Sequence, residues 1–295
     1  MLKPFMCLAL VVAASVASAQ DKPRVMAVNY ALAYMAERLL GTEAEVTFPV
    51  PDGTDPSFWR PSISDISAIQ SADLVLLNGA AFATWVDRVS LPRSRVVNTT
   101  SAIKDAYIVT ESITHSHGDG GEHSHEGLAS YTWLDPTLAV AQAEAIAGAI
   151  AARNLAPVEE VYARLTELST ELETLDTAAR DALAAVQDTV IVATHPRYQY
   201  LARAFGLTVV SLEWEAGTAP NADELAELAS LVAETSAAVL MWEANPPTDA
   251  LAATEDLGLA NVIFPPLATP VADATFIDAF QASIAALADA GALRN

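Results

Sequence analysis

Cysteine is almost absent from this chain of 295 residues, which has one, Cys7. It lies within Met1 to Ala19 (MLKPFMCLALVVAASVASA), where a basic Lys3, an apolar run from Phe5 to Val12 and a small-residue end, Ala17-Ser18-Ala19, form a secretory signal pattern. Cleavage is expected between Ala19 and Gln20. Cys7 falls too early, and without small residues ahead of it, to attach a lipid. The exported remainder, residues 20–295, is therefore expected to carry no lipid anchor, no disulfide and no thiol chemistry. No second run of about eighteen apolar residues follows, which argues against a bilayer-spanning helix in a chain that is 52% hydrophobic. Basic residues are scarce as well, 15 Lys and Arg against 37 Asp and Glu, for a formal charge of -22. Such a field repels nucleic acid and anionic lipid and concentrates cations. Acidity also serves solubility outside the cell, so charge alone leaves both readings open. Catalytic signatures are missing too: there is no Ser-His-Asp order with a nucleophile elbow, no His-Glu-x-x-His, no cysteine nucleophile and no glycine-rich phosphate loop. An enzyme is not expected.

What is present is an alternation of short apolar runs and helical patterns. Arg24 to Val28 reads as a strand, Asn29 as an N-cap, Ala31 to Leu40 as a helix and Gly41 as its stop. The same grammar recurs at Ala44 to Val50, which leads into a loop from Asp55 to Pro61. Asp73 to Leu77 follows, ending at Asn78-Gly79 and opening a helix through Trp85, and Ala106 to Thr110 comes next. From Asp135-Pro136, an N-cap and N1 pair, the composition turns to Ala, Leu, Glu and Gln as far as Val186. Pro157 begins a helix of about thirty residues, about 45 Å long, with an apolar stripe of Leu165, Leu168, Leu172, Leu175 and Leu183.

Strands then return at Val190 to Thr194, Thr208 to Leu212, Ala238 to Trp242 and Asn261 to Phe264. Helices are expected from Pro196 to Phe205, Ala222 to Glu234 and Thr275 to Ala290. The fold class is α/β: two Rossmann-like lobes with mainly parallel sheets, joined by a long backbone helix. The expected division is a signal peptide at 1–19, an N-terminal lobe at 20–156, a connecting helix at 157–187 and a C-terminal lobe at 188–295. In open parallel sheets the ligand crevice lies beyond the carboxyl ends of the strands, where His195, Glu213 and Glu243 fall. Trp59, Trp85, Trp133, Trp214 and Trp242 are packing residues first, though several fall beside the expected cleft, where they would form an apolar rim.

Four of the five histidines lie in Thr114-His-Ser-His-Gly-Asp-Gly-Gly-Glu-His-Ser-His-Glu126. His115, His117, His123 and His125 form two His-x-His pairs, with Asp119, Glu122 and Glu126 adding oxygens. Imidazoles so concentrated bind Zn²⁺, Cu²⁺ or Ni²⁺. The loop at 114–127 serves either as a ligand arm folded over the cleft or as a collector that binds metal weakly in many geometries.

Asp55-Pro-Ser-Phe-Trp-Arg-Pro61, Ser64-Asp-Ile66 and Ala72-Asp-Leu-Val-Leu-Leu-Asn-Gly79 resemble the first-lobe signature of the zinc and manganese solute-binding proteins of ABC importers, the TroA-like group. Trp133-Leu-Asp-Pro136 looks like the start of that family's second-half helices, and His195-Pro-Arg-Tyr-Gln-Tyr-Leu-Ala-Arg-Ala-Phe-Gly-Leu207 its second-lobe motif. A histidine-rich loop before Trp-Leu-Asp-Pro is typical of the zinc members. The resemblance implies a monomeric periplasmic protein that captures a transition-metal ion, foremost Zn²⁺ and otherwise Mn²⁺ or another divalent ion, for an ABC permease.

Departures fall on the ligands the resemblance implies. Ser57 and Tyr131 stand where the family has histidines, and Pro265 where it has an aspartate; His195 is retained. Zinc needs about four N, S or O donors, so the inherited set cannot act alone. The loop histidines would supply donors beside His195, with Glu213 or Glu243 completing the shell, unless these carboxylates instead cap a helix or pair with Arg60, Arg197 or Arg203. The other function carried forward is a repurposed relative, either a metal chaperone or store acting through its loop, or a receptor for a non-metal ligand.

Overall fold

A computed structural model describes residues 22–110, 127–214 and 217–292. The signal segment with Cys7, the four histidines His115, His117, His123 and His125, and the acidic residues among them lie outside the described residues.

The first sheet has the order β2-β1-β3-β4, all parallel: β1 (Arg24–Ala27), β2 (Glu45–Thr47), β3 (Leu74–Leu77) and β4 (Val96–Asn98). Val25, Met26, Ala27, Leu74, Val75 and Leu76 are all buried, as expected of strands covered on both faces. Between the strands run α1 (Tyr30–Leu40) and α2 (Ile63–Ser71). The Asn29 side chain accepts the Leu32 N–H to start α1, and Gly41, at φ 59, ends it in the left-handed region.

Two helices follow. The first, α3 (Pro136–Ala152), is capped by Asp135, whose carboxylate accepts the N–H groups of Thr137 and Leu138. The second, α4 (Val158–Leu183), buries Val161, Leu168, Leu172, Leu175, Ala179 and Leu183 as a stripe. It packs on α1 and α3, and further along on the helices of the second half.

The second sheet repeats the design in the order β10-β9-β7-β8, again all parallel. Its strands are β7 (Val190–Ala193), β8 (Thr208–Ser211), β9 (Val239–Trp242) and β10 (Ala260–Ile263), with α5 (Gln199–Phe205), α6 (Ala222–Thr235), α7 (Thr248–Glu255) and α8 (Phe276–Ala292) around them. Successive side chains take opposite faces. Ile191, Ala193, Val239 and Met241 join the large core shared with the first sheet, while Val192, Leu240 and Trp242 join a smaller one with Leu212, Trp214 and Leu228. The expected α/β fold of two parallel sheets and a long helix is what the structure shows.

Three local expectations are corrected. After Asn78-Gly79 the chain makes a 3-10 turn at Thr84–Arg88 in place of a helix, because Gly79, Ala80 and Ala81 all have positive φ, at 78, 46 and 57. Of Ala106 to Thr110, β5 (Val109–Thr110) alone is strand, and it pairs antiparallel with β6 (Gly127–Leu128) outside both sheets. Helix α5 starts at Gln199, leaving Pro196 in the turn before it. Strands β4 and β6 and helices α2 and α7 were not anticipated. Among the described residues no helix is long and apolar enough to cross a membrane.

Candidate functional site

The carboxyl ends of β7 and β9 and the loop between β2 and α2 converge on one cleft. His195 follows β7, half-buried. The Trp214 N–H donates to the Thr194 carbonyl at 2.8 Å, bringing the Trp214 carbonyl within 3.1 Å of His195 Nδ1. A carbonyl can only accept, so Nδ1 carries the hydrogen, and in the neutral ring Nε2 holds the lone pair. Metal-ligating histidines are oriented in this way, the far nitrogen being tied to a backbone carbonyl or carboxylate.

Two residues on, Arg197 enters the cleft with its side chain 8% exposed. One Nη donates to Asp55 Oδ2 at 2.5 Å. Nε stands 2.7 Å from Glu243 Oε1. That second pair is not aligned for a hydrogen bond, so it is a contact of charges, and neither atom has a hydrogen-bond partner among the described residues. The guanidinium carbon lies 5.0 Å from the centre of the Tyr131 ring, in cation–π range. Asp55 Oδ1 accepts both the backbone N–H and the hydroxyl of Ser57, at 2.8 and 2.7 Å.

The electrostatics follow from this geometry. Burial disfavours charge on Asp55, but Arg197 and the Ser57 hydrogen bonds outweigh it and hold the carboxyl below its usual range. Burial also opposes the Arg197 charge and is outweighed by Glu243 and Asp55, which hold the guanidinium above its usual value. For Glu243 burial wins: its carboxyl is pushed up in spite of Arg197 and His195.

A cavity of about 300 Å³ opens beside this cluster, and Ser57, Tyr131, His195, Arg197 and Gln199 line it. The Tyr131 hydroxyl is buried and lacks a hydrogen-bond partner among the described residues. Thr110 and Gly127 line the same cavity and face each other in the β5–β6 pair. A Cβ at position 127 would collide with the Thr110 hydroxyl, so glycine closes this ribbon.

The residues singled out in the sequence are therefore placed unequally. Ser57, Tyr131 and His195 share the cavity wall. Glu243 lies behind it, engaged by Arg197, which is the pairing weighed against a ligand role. Glu213 is exposed and is not among the cavity-lining residues. Pro265 sits between two carbonyls that are both in use, Phe264 O accepting from the Tyr198 hydroxyl and Pro266 O from Trp133 Nε1. Trp59, Trp85, Trp133, Trp214 and Trp242 are between 0% and 7% exposed, so they pack the interior and form no rim. Among the described residues no three His, Cys, Asp or Glu side chains are arranged to hold a metal ion.

The Asp55–Arg197 pair was not anticipated. Both residues lie in the motifs already quoted, and a basic residue just past a strand end, in a chain with 15 Lys and Arg against 37 Asp and Glu, was the signal available.

Comparison with known proteins gives a consistent result. The family model for the zinc-uptake complex component A, periplasmic (ZnuA), matches residues 25–290. The chain is 27% identical over 267 residues to the zinc-binding lipoprotein AdcA of Streptococcus pneumoniae, covering 88% of this chain and 52% of that protein. It thus spans about half the length of the AdcA relatives it matches. To the high-affinity zinc uptake system protein ZnuA of Bacillus subtilis it is 25% identical over 238 residues, covering 76% of this chain and 71% of that one. Among solved structures, the Zn(II)-bound ZnuA-like domain of Streptococcus pneumoniae AdcA superposes with a TM-score of 0.77 at 21% identity, covering 92% of this chain and 99% of that domain. At that identity the likeness shows the fold.

Proposed function

Because this chain belongs to the ZnuA family of periplasmic zinc-uptake components, matched over residues 25–290, we propose that it is a periplasmic solute-binding protein that captures Zn²⁺ and passes it to an ABC permease. It works as a monomer exported by a signal cleaved near Ala19 and Gln20, and binding is coordination without catalysis. The ion is its cargo. Relatives named for zinc binding or zinc uptake support this reading.

The observation that carries the proposal is the position of His195. Its Nδ1–H is tied to the Trp214 carbonyl, and it shares a cavity with Thr110 and Gly127, the residues that bracket the histidine-rich stretch. In the proposed site His195 gives one nitrogen, and donors among His115, His117, His123 and His125 replace what Ser57, Tyr131 and Pro265 no longer supply. Imidazoles are good zinc donors, and the chain's surplus of 37 acidic over 15 basic residues raises the local cation concentration.

Calorimetric titration of Zn²⁺ into the metal-stripped mature chain tests this. The wild type is expected to show one tight site that weakens by about tenfold or more both on deletion of residues 114–127 and in His195→Ala. Weak, multiple binding that deletion abolishes and His195→Ala leaves untouched would sink the proposal, since the loop alone would then account for the metal.

A further inference from the structure

Residues 48–62, between β2 and α2, contain no helix or strand. A connection of that length without structure of its own is uncommon in a compact domain and is characteristic of binding loops and lids. Ser57 and Phe58 of this stretch line the same cavity as His195. The stretch is fastened at two points. Trp59, 7% exposed, packs edge-on against Trp85 of the first half, with ring centres 5.9 Å apart. Asp55 pairs with Arg197 of the second half. Among the described residues that pair is the only hydrogen bond leaving 49–61. The others are local: the Thr54 N–H to Pro51 O, the Phe58 N–H to Asp55 O, and the two from Ser57 to the Asp55 carboxylate.

We propose that residues 52–58 are a gate to the His195 cavity, hinged at Gly53, anchored at Trp59 and latched by the Asp55–Arg197 pair. Gly53 has φ 73, and a Cβ there would meet nothing within 4 Å. Pro51, Pro56 and Pro61 fix their own φ, which leaves Gly53, two residues ahead of the latch, as the point where the chain can turn. Arg197 is the fixed arm. Its Nε stands 2.7 Å from Glu243, the Tyr131 ring lies 5.0 Å from its guanidinium carbon, and its backbone N–H donates to the His195 carbonyl at 2.9 Å. Opening the gate therefore leaves the buried guanidinium beside Glu243, while Asp55, its side chain already 29% exposed, moves to water. Neither charge is left buried alone, the condition under which breaking such a pair is most costly. That the gate admits Zn²⁺ rests on the function proposed above; that it opens does not.

The test is residue-resolved amide hydrogen exchange on the metal-free mature chain, as wild type and as Asp55→Asn, which keeps the side chain's shape and leaves Arg197 paired with Glu243. Thr54 and Phe58 are the reporters, because their N–H groups bond to backbone carbonyls and not to the replaced side chain. Their exchange is expected to speed up by about tenfold or more in Asp55→Asn, with the amides of α3 and β7 unchanged. Should that variant not fold, Arg197→Lys, which keeps a charge for Glu243 and loses the planar fork that reaches Asp55, is expected to give the same local change. Unchanged exchange at Thr54 and Phe58, or a rise shared equally by α3 and β7, overturns the proposal. Stopped-flow mixing with Zn²⁺ then tests the cargo: entry and release are both expected to be faster in Asp55→Asn, with affinity changed less than either rate. Local opening in a chain that binds no zinc would keep the gate and refute the zinc reading, so the two can fail separately.

Discussion

Asp55 and Arg197 stand 142 positions apart in sequence and meet in the cleft. Each was visible as a member of a motif, but periodicity reports which face of an element is apolar and says nothing about which loops of two separate sheets will face one another. Ser57 illustrates the same limit: in sequence it is a ligand position without a ligand, and in the structure its N–H and hydroxyl fix Asp55. Breaking a buried ion pair by removing one partner costs about 3–5 kcal/mol, so the Arg197 cluster matters to stability. Its pH dependence has a definite sign. Asp55 is held below the usual carboxylate range, so the unfolded chain takes up that proton more readily. The stabilisation is complete above the ordinary aspartate value of about 3.9 and is lost as pH falls through the lower folded value. Thermal unfolding of wild type and Asp55→Asn across pH is therefore expected to show a gap near neutrality that narrows below pH about 4. A gap that does not change with pH would mean that the substitution removes something other than the carboxylate charge.

Elements were most legible where a strong local signal stood alone. The Asn29 cap, the Gly41 stop and the Asp135-Pro136 start all operate as side-chain chemistry requires. Strands β1, β3, β7 and β9 were visible as continuous apolar runs because both faces are covered. Less legible were β4, three half-buried residues with no alternation to detect, and α7, whose Thr, Asp and Ala pattern is weakly apolar. The helix expected after Gly79 fails for a backbone reason, three successive residues at positive φ. At this scale Asp135 gives a quantitative test. Its carboxylate accepts two N–H groups at the start of α3 and lies 3.6 Å from Arg203, so Asp135→Ala is expected to lower stability by about 1–2 kcal/mol in chemical denaturation. A loss near zero would show that the helix does not depend on its cap.

Across the whole molecule the two sheets share one core, in which Val25 and Leu74 belong to the same buried cluster as Ile191, Met241 and Phe264. The halves are also tied by the Tyr30 N–H to Ala268 O at 2.8 Å, by Trp133 Nε1 to Pro266 O at 2.9 Å and by stacking of Tyr34 on Phe276. The two-sheet architecture was legible because its strand-and-helix grammar repeats on either side of α4. The closeness of the halves was not, since periodicity shows that a face is buried but not which helix, strand or loop of the other half covers it. The cleft lies at this junction, and the central claim is that zinc is held there by imidazole nitrogen, His195 included. X-ray absorption at the zinc edge, on the zinc-loaded mature chain and on His195→Ala, tests that claim most directly. The expected result is a first shell near about 2.0–2.1 Å with the outer-shell scattering of several imidazole rings, reduced by one ring in the variant. A shell of oxygen donors without imidazole scattering, or a spectrum that His195→Ala leaves unchanged, would contradict it.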